Sequence, residues 1–213
     1  MIRVAKSEKV PESLSRTSAY DGEDVLRQLV LDQHSKCYVC ERVRYTDFEV
    51  EHFVSKAGHP ELRQEWRNLL LACRYCNGRK SDRHDGMLNP LDVNIEEEIV
   101  QDIDFENGVA RFSAVHGSEQ ARMTAEFLGV LFNGRGKIRT IKEKQFFDYF
   151  VSVMNRFQGL VCDYLFNPGP ENEENVRNEL VVDKEFLGFK YWIVKGNGEL
   201  ERVFGMDVVW NKC

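Results

Sequence analysis

Four of the six cysteines stand in two pairs, Cys37-Tyr38-Val39-Cys40 and Cys73-Arg74-Tyr75-Cys76, with thirty-two residues between them. A two-residue gap lets both thiolates of a pair turn onto one ion, and two pairs complete the tetrahedral shell that Zn prefers. The alternatives are two unrelated pairs of small buried residues, or a redox pair, which would open a helix after a strand in a thioredoxin-like unit. No such unit can be read in this chain. The N-terminal run Met1-Ile2-Arg3-Val4-Ala5-Lys6 lacks the apolar core of a signal peptide. The expected compartment is therefore the cytoplasm, where thiols stay reduced and metal is favoured over disulfides. Four sulfurs leave no open coordination position, so Cys37, Cys40, Cys73 and Cys76 are expected to hold a structural Zn, with a folded segment between the pairs. Cys162 falls in an apolar helical pattern and reads as core packing. Cys213, the last residue, says nothing.

At 213 residues the chain is one domain or two small ones, taking ~150 residues per domain as a prior. A composition 42% hydrophobic and 30% charged suits a soluble globular core rather than a disordered chain. No apolar run approaches the ~18–20 residues that span a bilayer, so no membrane association is expected. The net charge of −6 argues against general attraction to nucleic acid. The average hides a contrast, however. The segments Asp92–Glu106 and Glu171–Glu185 hold much of the excess acid, whereas Arg74, Arg79, Lys80 and Arg83 cluster with only Asp82 against them.

Residues 1–20 read as irregular and polar. Asp21 or Gly22 is placed to cap a helix running to about His34, with Val25, Leu26, Leu29 and Val30 on its apolar face. Phe48, Val50 and Phe53 alternate with polar residues as in a strand. A short helical piece follows around Glu61–Trp66, then an apolar strand Leu69–Ala72 and a basic helix of about Tyr75–Asp82. Asn107-Gly108 between Ile103–Glu106 and Val109–Phe112 predicts a two-residue hairpin. A helix is expected near Glu119–Leu128. The longest one runs from about Lys137 to Phe166, with Ile138, Ile141, Gln145, Phe146, Phe150, Val153, Met154, Phe157, Leu160, Val161 and Tyr164 on one stripe. Pro168 and Pro170 end it, and a short acidic helix follows over Glu171–Leu180. The tail reads equally as a hairpin (Phe189–Val194 with Glu199–Phe204) or as helix over Asp183–Ile193.

Between the cysteine pairs lie Glu51-His52, Asn68 before the apolar strand, and Asn77 with Arg79 and Lys80 after it. This order suggests two antiparallel strands and a helix around one divalent ion, a ββα-metal finger. Phosphodiester hydrolysis needs a base for the water, a Lewis acid on the phosphate, and cations for the remaining charge. His52 is the natural base, with an ordinary pKa near ~6.5. Glu51 and the amide oxygen of Asn77 are hard ligands suited to Mg or Mn. Lys80 and Arg79 can reach phosphate as a point charge and a fork. The helix N-terminus near Cys76 adds a favourable field for an anion. Successive strand residues point to opposite faces, so Glu51 and His52 converge only if the strand ends or bends there.

With both cysteine knuckles, Glu51-His52, Asn68 and Asn77-x-x-Lys80 in this order, the stretch of about Lys36–Arg83 resembles HNH endonucleases of the branch with a four-cysteine zinc site. The resemblance implies His52 as general base and Glu51 as the acidic metal ligand, more often Asp. It implies Asn68 as the residue pinning the base's loop, and Asn77 at the last motif position in place of His. Ser55 stands where many relatives have Pro. A wider resemblance is to the HNH subunits of Septu-type antiphage systems, which also occur as effectors with some retrons and act beside an ATPase partner. It rests on the helix leading into Lys36-Cys37-Tyr38-Val39-Cys40-Glu41, on Glu51-His52-Phe53, on Leu88-Asn89-Pro90-Leu91-Asp92 and on the helical C-terminal half.

The expected architecture is α+β, a zinc-stapled ββα-metal finger embedded in a mainly helical domain. An N-terminal segment and helix occupy 1–35, the finger 36–91, and a mostly helical region with one β-hairpin near 103–112 occupies 92–213. The expected activity is metal-dependent cleavage of DNA or tRNA. A stand-alone restriction-like nuclease and a non-catalytic zinc module are the alternatives. His34, His59 and His84 read as surface residues. The basic run Arg135, Lys137, Arg139, Lys142, Lys144 reads as a solvated helix face, with nucleic-acid contact as the lesser alternative, and Asp92–Glu106 as a solvated surface.

Overall fold

The computed structural model describes residues 1–16, 19–43, 46–80 and 84–210. The sequence-based assignments on Arg83, Asp82 and Cys213 lie outside these residues. Among the described residues the chain is α+β, with two small antiparallel sheets and nine α-helices: α1 Glu12–Arg16, α2 Glu23–Asp32, β1 Phe48–His52, β2 Leu69–Cys73, α3 Arg74–Asn77, α4 Ile95–Glu98, β3 Ile99–Asp104, β4 Val109–Ala114, α5 Glu119–Asn133, α6 Ile141–Phe166, α7 Pro170–Asn178, α8 Leu187–Lys195 and α9 Gly198–Phe204.

β1 and β2 pair antiparallel, with Phe48 opposite Cys73 and His52 opposite Leu69. Directly opposed residues share a face. Phe48 and Val50 therefore lie with Leu71 and Leu69, and pack with Leu14, Val25, Leu29 and Trp66 against the platform of α1 and α2. Glu49 and Glu51 lie with Ala72 and Leu70 on the other face, where α3 sits. Leu70, Ala72 and the four cysteines join the main core. That core continues through the aromatic stack of Phe132, Phe146, Phe150, Phe186 and Phe189, whose ring centroids lie 4.6 to 6.3 Å apart.

Several elements differ from the sequence expectation, each for a local reason. The first twenty residues are not uniformly polar loop, since Met1, Ile2 and Val4 are buried in the core and Glu12–Arg16 is helical. The basic helix after Cys73 is one turn, ending at Asn77. The hairpin pairs Ile99–Asp104 with Val109–Ala114, leaving a four-residue connection. The Asp104 carboxylate accepts from both the backbone N–H and the side-chain amide of Asn107, which ends the first strand two residues earlier than a two-residue loop would. Gly108 supplies the left-handed residue at φ 60°.

The long helix starts at Ile141, not Lys137, because Thr140 and Glu143 form a reciprocal capping box. Ile138 and Ile141 are consequently outside the buried stripe and exposed (87% and 78%). Cys162 is also exposed, so its reading as core packing is wrong. The tail is helical. In the acidic stretch Glu96 is buried, accepting a 2.8 Å hydrogen bond from the Arg3 N–H. Arg139 is no part of a solvated basic face, since its guanidinium stacks 3.6 Å from the Phe147 ring centre and bonds the Gly108 carbonyl. His84 packs against Phe127 at 4.5 Å rather than facing solvent alone.

Candidate active site

The four cysteines meet at one point. Cys37 and Cys40 sit on a knuckle closed by hydrogen bonds from Cys37 N–H to the Arg42 carbonyl (3.1 Å) and from Glu41 N–H to the Cys37 carbonyl (2.9 Å). Glu41 takes the left-handed conformation that such a tight turn demands. Cys73 ends β2 and Cys76 lies one turn into α3. All four are buried, with their sulfurs within 4.8 Å of one another, and Cys40 Sγ lies 3.9 Å from Cys73 Sγ. Four thiolates about 2.3 Å from a tetrahedral Zn lie about 3.8 Å apart, whereas a disulfide needs about 2.05 Å. The cluster therefore fits a zinc ion and not a disulfide. Glu41 next to it ties the knuckle to the C-terminal half. Its buried carboxylate accepts from the N–H groups of Leu187 (2.8 Å) and Gly188 (3.1 Å) at the start of α8.

At the other end of β1 a cavity of about 280 Å³ is lined by Tyr20, Val50, Glu51, His52, Ser55, Lys56, Asn77 and Lys80. It wraps the edge of β1. Glu51, Asn77 and Lys80 come from the α3 face, and His52 with Tyr20 from the other. The strand ends at His52, which is how two neighbours of opposite facing reach one cavity.

His52 is 6% exposed. Its Nε2 lies 2.9 Å from the Arg63 carbonyl oxygen. A carbonyl only accepts, so neutral His52 carries its hydrogen on Nε2 and keeps the Nδ1 lone pair. Burial pushes the imidazole below its usual range, with Lys56, Lys80 and Arg63 acting the same way against the Arg63 carbonyl. Asn68 fixes the loop after His52. Its amide donates to the carbonyls of Val54 (3.0 Å) and Leu62 (3.2 Å), while its oxygen accepts from the Val54 N–H (2.8 Å).

Asn77 Nδ2 donates to Glu49 at 2.5 Å, and a carboxylate can only accept, so the amide oxygen is left for another partner. Glu51 is half-buried, and burial raises its pKa against the opposing pull of Lys80. The donor set of Glu51 and Asn77 is hard oxygen and fits Mg or Mn better than Zn. The Lys80 ammonium is enclosed (3% exposed), 3.2 Å from Glu51, 3.5 Å from Asp85 and 3.0 Å from the His52 carbonyl. Arg79 is not among the cavity's lining residues. It stacks on Tyr75 at 3.6 Å and pairs with Glu143 at 3.4 Å.

These features match known proteins. Residues 37–83 match the family model for HNH endonuclease. The chain carries an HNH domain. The Septu protein PtuB of Bacillus thuringiensis is 35% identical over 86 residues, which are 38% of this chain and 32% of that protein. The chain thus spans about a third of that relative's length.

The HNH domain brings Glu51, His52, Asn77 and Lys80 around one cavity and sets Asn68 behind it as a loop fastener. Sequence reasoning missed four residues. Glu49, two before Glu51 on an alternating strand, shares its face and was open to discovery by that rule alone. Asp85 approaches Lys80, and its Oδ1 is buried without a hydrogen-bond donor among the described residues. Lys56 and Tyr20 line the cavity, and Tyr20 comes from outside the matched segment, so no motif pointed to it. The basic crowding read around the HNH domain is also partly offset, by Glu49 near Arg74 (3.6 Å) and by Glu51 and Asp85 near Lys80.

Proposed function

We propose that this chain is a metal-dependent endonuclease that hydrolyses phosphodiester bonds in DNA or RNA, acting as the nuclease of an antiphage system with an ATPase partner. The observation that carries the chemistry is the His52 imidazole. Its Nε2–H is held by the Arg63 carbonyl, and the Nδ1 lone pair is left on a ring that borders the cavity. His52 takes the proton from water at Nδ1, and the Arg63 carbonyl stabilises the imidazolium that results. Asn68 keeps that loop rigid, so the base does not wander. Glu51 and Asn77 hold Mg or Mn, which when bound supplies Lewis-acid stabilisation of the phosphate and the leaving oxygen. Lys80 positions the Glu51 carboxylate. The Septu likeness supports the defence role and the ATPase partner.

The test is cleavage of duplex DNA, single-stranded DNA and tRNA by the purified chain with Mg or Mn. His52→Ala should lose about 10²–10⁴-fold in rate, the usual contribution of a general base. Wild-type rates in that variant would overturn the mechanism. Co-purification with an ATPase encoded beside it tests the partner.

A further inference from the structure

We propose that Lys56, held in place by Tyr20, is a backbone-phosphate contact of the cavity, so that Tyr20, which precedes α2, belongs to the substrate site. This rests on the nucleic-acid reading above.

The argument begins from the cations near the base. Lys80 faces two carboxylates and a carbonyl and is enclosed, so its charge is largely spent within the protein. Arg79 faces Glu143 and the Tyr75 carbonyl, away from the cavity lining. Lys56 differs in each respect. It is exposed, lines the cavity, and has no carboxylate partner among the described residues. Its ammonium donates to the Tyr20 hydroxyl at 2.7 Å and lies 4.3 Å from the Tyr20 ring centre. A neutral acceptor and a π face orient an ammonium without neutralising it, and leave N–H groups for a phosphate oxygen. The same ring stands edge-on to His52 at 4.5 Å, so the charge is fixed beside the base. The Arg63 guanidinium lies 5.6 Å from the Tyr20 ring centre.

Tyr20 is fastened from behind. The Ser13 N–H and hydroxyl both donate to the Asp24 carboxylate (3.0 and 2.5 Å), joining α1 to α2 on either side of it. A Cβ on Gly22 would fall 2.5 Å from the Ser13 hydroxyl oxygen, so this close approach requires glycine. Leu14, Val25 and Leu29 then anchor both helices on Trp66, Leu69 and Leu71. Tyr20 is thus presented by a packed platform rather than by a loose tail.

The experiment measures binding of a fluorescent 20-mer, as duplex DNA, single-stranded DNA and RNA, to the full chain over a KCl series. It uses the His52→Ala background so that substrate is not consumed. Lys56→Ala should weaken binding about 3–10-fold and lower the log–log salt slope by about 0.9 on duplex or about 0.7 on a single strand, the signature of one lost phosphate contact. Lys56→Arg should restore the slope. Tyr20→Leu should weaken binding less than Lys56→Ala and keep most of the slope. With His52 intact, the loss should fall mainly on KM. An unchanged slope in Lys56→Ala, or no binding by any form, overturns the proposal. If the chain binds with the expected Lys56 dependence but cleaves nothing, the nuclease reading fails and this contact stands. If it cleaves and Lys56→Ala behaves as wild type, the contact alone fails.

Discussion

The two ends of the β1–β2 pair carry opposite kinds of site. At one end Cys73, opposite Phe48, belongs to a cluster of four buried sulfurs. At the other, His52, opposite Leu69, borders an open cavity with oxygen and nitrogen donors. Only four residue steps separate them, about 13 Å along a strand. The sulfur site is closed in coordination and soft, so it can stabilise the fold but offers no position for substrate. The cavity is lined by hard oxygen and nitrogen groups, and beside it a buried Asp85 oxygen meets the Lys80 ammonium at 3.5 Å without a hydrogen bond and the Asn77 amide oxygen has no donor among the described residues. Rigidity and reactivity are thus divided along one short pair of strands, the first making the second affordable.

The sharpest break of that contrast is Cys73→Ser. A structural Zn contributes about 10–16 kcal/mol in zinc-finger peptides, as much as the total stability of a typical domain, about 5–15 kcal/mol. The variant should lose zinc, unfold the segment 36–80 and take the core around Glu41 and α8 with it. Metal analysis with near-UV circular dichroism reads this, and a folded variant with full zinc would refute the four-sulfur site. Brief treatment with EDTA should do the reverse. Cleavage is lost and restored by Mg, while zinc content and melting temperature stay put, because hard-ligand sites exchange readily and the thiolate cage does not. Loss of both together would mean that the two sites are not independent.

A smaller effect separates positioning from chemistry. Asn68→Ala leaves the Val54 N–H and the Val54 and Leu62 carbonyls without their side-chain partner. At about 1–3 kcal/mol per buried group left unpaired, part of it recovered by water, a loss of about 2–4 kcal/mol is expected. Urea unfolding would show it. Cleavage should fall while the zinc content is unchanged. Equal stability in the variant would remove Asn68 from its fastening role.

Much of this site was legible in the sequence because its parts are local and spaced by chemistry. Cys-x-x-Cys twice, Glu51-His52, Asn68 and Asn77 each announce a role through residue type and spacing, and the structure brings Glu51, His52 and Asn77 together on one cavity. What stayed hidden depends on tertiary contact. Lys80 reads as a free cation until Glu51 and Asp85 are seen beside it. Tyr20 reads as a loop residue until α1 and α2 fold it over His52. In the fold, the stripe of α6 was visible from Phe146 onward, whereas Ile138, Ile141 and Cys162 matched the period but face solvent. Periodicity identifies a helix, but a partner surface decides how far along it burial extends. The tail was ambiguous because its apolar residues are buried all round, as Leu187, Phe189, Tyr191 and Val194 are, which erases any period.

The contrast extends to carboxylates, and here the expected effect is smallest. Glu51 has a lysine beside it. Glu96 is buried with a backbone N–H from Arg3 as its donor, and burial pushes its pKa up to about 7 from 4.5. A carboxyl with a raised folded pKa binds its proton more tightly in the folded state. Its contribution to stability is therefore fully present below about pH 4.5 and lost as pH rises through about 7. The loss is at most about 3 kcal/mol for a difference of this size. Glu96→Gln keeps an acceptor for the Arg3 N–H but cannot ionise. It should match wild type near pH 4.5 and exceed it at pH 8 by about 1–2 kcal/mol, or about 3–6 °C in melting temperature for a chain of this length. Melting curves from pH 4.5 to 8.5 check this. Parallel pH profiles for the two proteins would show that the Glu96 charge is solvated in the folded chain.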